Sequence, residues 1–226
     1  MSDEIVRGSP DVQPYLRKYR QALYDEEQVG NGAVTRLIQF FSRPQGQADA
    51  AGVQKNARHT NLTVAGQLGA RQEFYLVGFN LMLDWDLLSM PRHTAAYPAT
   101  NNELYAIHQI MTDSLFTFQF GRGQPLVEIP LERIPFGSGP CGMIDNGMAV
   151  AAFGANVAHV LTNGVPSVHE FYDIRLRRAR PRHIQYQQAF TCKIEWLTNG
   201  ITVGTDSGGE YYRIMVYALG ILLSAL

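Results

Sequence analysis

The order of apolar and polar residues predicts a chain built mainly of β-strands. Residues 74–85 read FYLVGFNLMLDW, a nearly continuous apolar run of the length expected for a buried strand. Residues 105–120 and 125–134 flank Gly121-Arg122-Gly123, which is typical of a tight turn between two strands. Further strand patterns follow towards the carboxyl end, over residues 170–178, 184–197 and 210–226. The pattern predicts an all-β fold arranged as an antiparallel β-sandwich. Residues 148–160 fit a helix or a strand equally well.

The amino-terminal segment follows a different period. Its apolar residues recur at helical spacing, at Val12, Tyr15, Leu16, Tyr19 and Leu23. We therefore predict a helix from about Pro10 to Asp25 within an N-terminal helical arm that covers residues 1–45. A helix of about 15 residues is marginal in water unless it buries its apolar face. That face packs either on its own domain or on a neighbouring subunit, which makes Tyr15, Leu16 and Tyr19 candidate subunit-interface residues.

The composition changes after the arm. Residues 46–73 are rich in Gly, Ala, Gln, Asn and Thr, which predicts a flexible loop because such a segment buries little apolar surface. Residues 74–226 then form the predicted β-sandwich domain. On this division, deletion of residues 1–30 is expected to leave a folded β domain that assembles poorly.

Charge is scarce along the whole chain. Of 226 residues 17% are charged, below the roughly 25% of typical soluble domains, while 46% are hydrophobic. This composition indicates that part of the surface is covered by other subunits. The net charge of −1 provides no overall basic field for nucleic acid. The sequence predicts no signal peptide and no membrane span.

No arrangement of residues typical of catalysis or of metal binding occurs in the sequence. The six histidines lack metal-ligand spacing, and the two cysteines, Cys141 and Cys192, are far apart. Glu128 and Glu132 lie four residues apart on a predicted strand, about 13 Å from each other, whereas a glycosidase pair needs about 5 to 9.5 Å. The sequence therefore predicts no enzyme activity, no catalytic residue, no cofactor and no metal.

An arginine-rich segment is the most unusual local feature. Five arginines occur within eight residues, at Arg175, Arg177, Arg178, Arg180 and Arg182. They are candidate subunit-interface residues, since a guanidinium pairs bidentately with carboxylates of a neighbour. Two other interpretations stay open: a solvated edge that blocks edge-to-edge aggregation, and contact with packaged nucleic acid.

The carboxyl-terminal part of the chain resembles a family of known proteins. An aromatic strand ending in FGRGQP is followed by PLVEIPLERIPFGSG, then by RPRHIQYQQAFTCKIEW and finally by YYRIMVYALGILLSAL. This order of strands, over residues 74–226, resembles jelly-roll capsid and capsid-decorating proteins of bacterial viruses (bacteriophages). The resemblance implies a jelly-roll-like sandwich and a viral structural protein of the virion, assembled in the host cytoplasm. It also implies a homo-oligomer, a homotrimer, that contacts other virion proteins. No functional residue carries over from it.

Two alternatives belong to other functional classes. A carbohydrate- or ligand-binding β module would use Trp85, Trp196 or the tyrosines as a stacking platform. A cupin-like enzyme, which also uses a jelly roll, would need convergent histidines around a metal.

Overall fold

The computed structural model describes residues 16–19, 21–30, 32–49, 52–85, 108–121, 123–137, 142–145, 159–162, 170–175, 181–203 and 211–225. Most of them lie in strands, so the prediction of a predominantly β chain is confirmed. The strands are β1 (Leu16–Tyr19), β2 (Leu23–Gly30), β3 (Val34–Thr35), β4 (Leu37–Phe40), β5 (Gln72–Trp85), β6 (Ser114–Phe120), β7 (Pro125–Pro130), β8 (Phe136–Gly137), β9 (Gly142–Asp145), β10 (His159–Thr162), β11 (Tyr172–Asp173), β12 (Arg182–Ile184), β13 (Phe190–Trp196), β14 (Ile201–Thr202) and β15 (Tyr211–Ala225). Residues 108–111 are helical, and Leu131–Arg133 form a 3₁₀ turn.

The two longest strands, β5 and β15, form the centre of the larger sheet. They pair antiparallel along almost their whole length. The other edge of β15 binds β2 along Tyr211–Ala218 and β1 nearer the carboxyl end. The other edge of β5 binds β12, β11 and β8 in turn, and β8 runs parallel to it. We call this assembly the β5–β15 sheet.

A second sheet has the order β4-β13-β6-β7 and is antiparallel throughout. We call it the β6–β13 sheet. The predicted hairpin of β6 and β7 is present, and its turn contains Gly121 with a φ of 54°, a conformation that glycine adopts at low cost. Pro130 lies in β7, which is the last strand of the sheet on that side. Proline is tolerated there because an edge strand need not donate every backbone hydrogen bond.

Side chains from both sheets belong to one hydrophobic core. Phe79 of β5 packs its ring against Phe116 and Phe118 of β6, with centroids 5.1 and 5.0 Å apart. The core also takes side chains from β15 and from β13, where buried residues alternate with less buried ones, as expected for a strand with one face inward. Among the described residues the largest fully buried side chains are those of seven phenylalanines, at Phe40, Phe41, Phe74, Phe79, Phe116, Phe118 and Phe190.

The predicted N-terminal helix is wrong where the structure describes that segment. Instead of a helix ending at Asp25, the chain forms β1 and β2, and β2 pairs with β15 at eight successive positions. The edge of β15 supplies backbone hydrogen bonds to β2, and this long-range pairing overrides the local helical spacing. Residues 1–15, including Tyr15, lie outside the described part of the chain.

The segment predicted as a loop, residues 46–73, packs against β2 and β13. The segment forms isolated β-bridges, one of which joins Thr60 to Asp25 of β2. The Asn61 side chain accepts from the backbone N–H of Tyr24 and donates to the carbonyl of Ala22, at 3.0 and 2.8 Å. Buried side chains from this segment include Lys55 and Leu68. The residues before Phe74 thus contribute to the same core as the strands that follow it.

Candidate functional site

The two described ends of the arginine-rich segment lie along one edge of β5. Asp173 of β11 pairs with Gly78, and Arg182 of β12 pairs with Leu76. Arg182 is exposed there. Arg177, Arg178 and Arg180 lie outside the described residues.

Arg175 binds within its own chain. Its guanidinium makes a two-pronged contact with the Asp173 carboxylate, through Nε at 2.8 Å and Nη2 at 2.5 Å. These hydrogen bonds lower the pKa of Asp173, and the Arg175 guanidinium lies 5.9 Å from the centre of the Phe171 ring. A contact between Arg175 and another subunit would therefore compete with this internal ion pair.

Leu16 and Tyr19, the described interface candidates of the arm, lie in β1. Their register partners in β15 are Ala225 and Leu222. Their backbones are therefore part of the β5–β15 sheet and not of a helix.

Exposed apolar side chains occur at one end of the β6–β13 sheet. Val34, Leu37 and Leu197 are 63%, 53% and 62% exposed, and we call them the apolar edge patch. Leu197 follows Trp196, whose backbone N–H donates to the carbonyl of Arg36 at 2.9 Å. Among the described strands, β4 pairs with β13 alone. The patch therefore includes a residue of β4, a strand whose second edge has no partner among the described strands.

A pocket of about 280 Å³ lies on the face of the β5–β15 sheet that points away from the core. Two tyrosines from neighbouring strands, Tyr24 and Tyr217, contribute to it with ring centroids 6.3 Å apart. The remaining lining residues are Glu26, Arg58, Met82, Arg213 and Met215. Burial raises the pKa of Tyr217, with a further increase from Glu26. The pocket combines aromatic, thioether and charged groups, which suits a ligand that is partly apolar and partly polar.

A buried cluster of ionisable side chains lies on the core side of the same sheet. Lys55 Nζ is 2.8 Å from Asp25 Oδ1 and 2.7 Å from Glu27 Oε1. The three side chains are 1%, 0% and 2% exposed. Arg43 Nη1 binds the second oxygen of Glu27 at 3.0 Å. We call these four residues the Lys55 cluster.

The backbone also contributes to this cluster. Asp25 Oδ2 accepts the N–H of Phe41 at 2.5 Å. Phe41 is buried and has a φ of 61°, a conformation that costs a bulky residue roughly 1–3 kcal/mol and is common at functional sites. Burial raises the pKa of Asp25 to about 6, although Lys55 and the Phe41 N–H act to lower it. Burial likewise raises the pKa of the Cys192 thiol, and nearby Asp25 adds to the effect.

Trp196, a stacking candidate from the sequence, lies in the core. Trp196 is buried, and its Nε1 donates to the carbonyl of Ile110 at 3.1 Å, so it forms no stacking platform. The described part of the chain holds no group of three or more His, Cys, Asp or Glu side chains suited to a metal ion. Within the same part, no helix has the length and apolar character needed to cross a membrane.

Comparison with known proteins gives no relative: no protein-family model, no curated protein and no solved structure matches this chain.

The Lys55 cluster was not among the sites predicted from the sequence. A signal for half of it exists in β2, where Leu23, Asp25, Glu27 and Val29 alternate and therefore share a face. Two carboxylates between two core residues on one strand face need a buried cation. Nothing local marks Lys55 as that cation, because it lies 30 positions from Asp25 in a polar segment.

Proposed function

We propose that this chain is a structural subunit of a virus particle, with its two larger sheets arranged as a jelly-roll-like sandwich. The observation that carries the proposal is the apolar edge patch beside β4. Val34, Leu37 and Leu197 are each more than half exposed, and Leu37 lies in β4, which pairs with β13 alone among the described strands. Proteins generally protect such edges with charge, proline or a covering element. We infer that a second copy of the chain is the covering element.

Two further features support a role in assembly. The chain carries few charges for its length, and the order of strand patterns in its sequence from residue 74 onward resembles that of viral jelly-roll proteins. The exposed Arg182, at the edge of β5, is available to fix the register of a neighbouring subunit through a carboxylate. In this proposal apolar contacts supply the affinity, and polar groups at the rim select the partner.

The proposal predicts that charges in the apolar edge patch disrupt self-association. The double variant Leu37→Arg/Leu197→Arg should weaken it about 100-fold, since each buried leucine contributes about 1.5 kcal/mol, or roughly tenfold in affinity. Position 37 tolerates arginine because its register partner on β13 is Glu195, whose carboxylate offers the new charge an opposite one. The substitution should therefore leave the fold unchanged. Analytical ultracentrifugation across a concentration series measures the change.

Val53→Arg/Val64→Arg is the matched control. Both valines are exposed but lie in the loop segment and not in the strands that carry the patch. The control should associate as the unmodified chain does. Equal behaviour of the two double variants would exclude the patch as the assembly surface.

The pocket at Tyr24 and Tyr217 favours a second candidate function, that of a ligand-binding β module. Stacking on these rings, together with Arg58 at the rim, would suit a saccharide or another partly polar ligand. For this function Tyr217→Ala should weaken binding of a saccharide found by thermal-shift screening at least tenfold. Tyr186→Ala, at an exposed tyrosine that does not line the pocket, should leave the affinity unchanged.

A further inference from the structure

The Lys55 cluster has the arrangement of a condensation site. An amine is held by hydrogen bonds against two carboxyl groups, Asp25 and Glu27, and all three side chains are almost completely removed from water. The contact of 2.8 Å between Lys55 Nζ and Asp25 Oδ1 places Nζ beside Cγ, the carbon bonded to Oδ1. Reacting atoms are poised for reaction at about 3 to 3.5 Å. The same fixed geometry lowers the entropic part of the barrier to a reaction between them.

We propose that Lys55 and Asp25 condense to a covalent isopeptide bond between Lys55 Nζ and Asp25 Cγ, with Glu27 carrying a proton during the reaction. The bond lies within one chain, so the inference is independent of the proposed assembly function.

The contacts assign Asp25, not Glu27, as the group that reacts. Asp25 Oδ2 accepts the N–H of Phe41, and a backbone donor in this position stabilises the negative charge that develops on a carbonyl oxygen under attack. Phe41, which supplies this N–H, has a positive φ of 61°, a conformation common at functional sites. Glu27 Oε2 is instead bound by Arg43. This contact holds the other oxygen, Oε1, against Lys55 Nζ, where it can accept a proton.

The atoms and charges balance without any other reactant. One proton passes from the Lys55 ammonium to Asp25 Oδ1, and the neutral amine attacks Cγ. Glu27 takes a second proton from the nitrogen and returns it to Oδ1. The Cγ–Oδ1 bond then breaks, and Oδ1 leaves as water with both protons. The amide nitrogen keeps the third proton of the ammonium, and Glu27 ends as the carboxylate that it was at the start.

Physical chemistry favours the bond over the ion pair at this position. Two charges buried in a core lose their hydration, and that loss offsets much of their attraction; an amide carries no charge. The choice of residue fits as well: the chain has 16 arginines and only three lysines. An arginine at position 55 would bind both carboxylates, but it cannot be deprotonated and so cannot react.

The decisive experiment is the intact mass of the purified full chain, measured after denaturation. The expected value is the sequence mass, with or without Met1, less one water molecule. Trypsin should then leave Lys55 uncut and yield residues 21–36 joined to residues 37–58. That species has two amino termini, at Gln21 and Leu37, which fragmentation distinguishes from a single uncut peptide of the same mass.

The chain contains its own control in an exposed ion pair. Lys193 Nζ lies 2.9 Å from Glu195 Oε2, but both side chains are in contact with solvent. Trypsin should therefore cut after Lys193 completely. An unmodified intact mass would overturn the proposal. So would a water loss that maps within one peptide, such as succinimide formation at an aspartate, or a link to Glu27 in place of Asp25.

Two variants test the chemistry. Lys55→Arg keeps the charge and should show the full sequence mass. Glu27→Gln keeps the shape but cannot carry the proton, so its linked fraction should fall at least tenfold in freshly purified protein. A fully linked Glu27→Gln variant would overturn the role of Glu27. If either variant fails to fold, the mass and peptide map of the unmodified chain still decide the question.

Discussion

Replacement of Lys55 by methionine is expected to lower the free energy of unfolding by about 3–5 kcal/mol, the range for removal of one partner from a buried ionic group. The substitution leaves the Asp25 and Glu27 carboxylates in the core with Arg43 as their remaining cation in the cluster. It also removes the proposed isopeptide bond, and with it a restraint on the unfolded chain between positions 25 and 55. Urea unfolding followed by circular dichroism measures the change.

Lys193→Met is the matched control for this substitution. It removes the same charge and adds the same side chain, but its ion pair with Glu195 is exposed. Exposed pairs contribute about 0–1 kcal/mol. If the two variants are equally stable, the Lys55 cluster does not hold β2 to the loop segment.

Deletion of residues 1–30 is expected to abolish folding. The sequence alone predicts that this truncation leaves a folded β domain; the structure changes the expected result. β2 pairs with β15 at eight positions and places Leu23 and Val29 in the core. The deletion also removes Asp25 and Glu27, which leaves Lys55 buried without either carboxylate. The truncated chain should show no cooperative unfolding transition.

Deletion of residues 1–15 is the control for this truncation, because it retains every described residue. This shorter truncation should keep the far-ultraviolet dichroism and the cooperative transition of the full chain. A chain that begins at residue 31 and still unfolds cooperatively would show that β2 is dispensable. It would also restore the view of the amino-terminal segment as an arm separate from the β domain.

The strands that the sequence predicts well are those with the strongest local patterns. The apolar run at 74–85 is β5, and the final apolar segment is β15. The hairpin of β6 and β7 is visible because Gly121 and Gly123 lie between two apolar runs. In each case the residues themselves carry the information, since burial, turn and alternation are all local.

The sequence does not predict the strands of the amino-terminal segment because the partner of these strands, β15, is remote in the chain. Leu16, Tyr19 and Leu23 fit a helical face, but each lies in or at the start of a strand that pairs with β15, about 200 residues further along the chain. A spacing of three and four residues is shared by a helix and by a short strand with a break. Pairing with the edge of β15 decides between helix and strand here, and no local sequence pattern indicates that pairing.

The Lys55 cluster could be foreseen only in part. The alternation in β2 puts Asp25 and Glu27 on the inward face, which is readable once β2 is known to be a strand. The third member, Lys55, lies in a segment whose composition is typical of a loop and which meets β2 through long-range contacts such as the bridge between Asp25 and Thr60. The arginine-rich segment is the opposite case, because its sequence pattern is conspicuous. Its first member, Arg175, forms an ion pair with Asp173 of the same chain.

The molar mass of the full chain in solution tests the assembly proposal most directly. Multi-angle light scattering at micromolar concentration should give a multiple of 25.2 kDa, three chains if the resemblance to viral shell proteins extends to symmetry. The Leu37→Arg/Leu197→Arg variant should move towards the mass of one chain, while Val53→Arg/Val64→Arg keeps the mass of the unmodified protein. A single species of 25.2 kDa for the unmodified chain would contradict the proposal that it builds a shell from copies of itself.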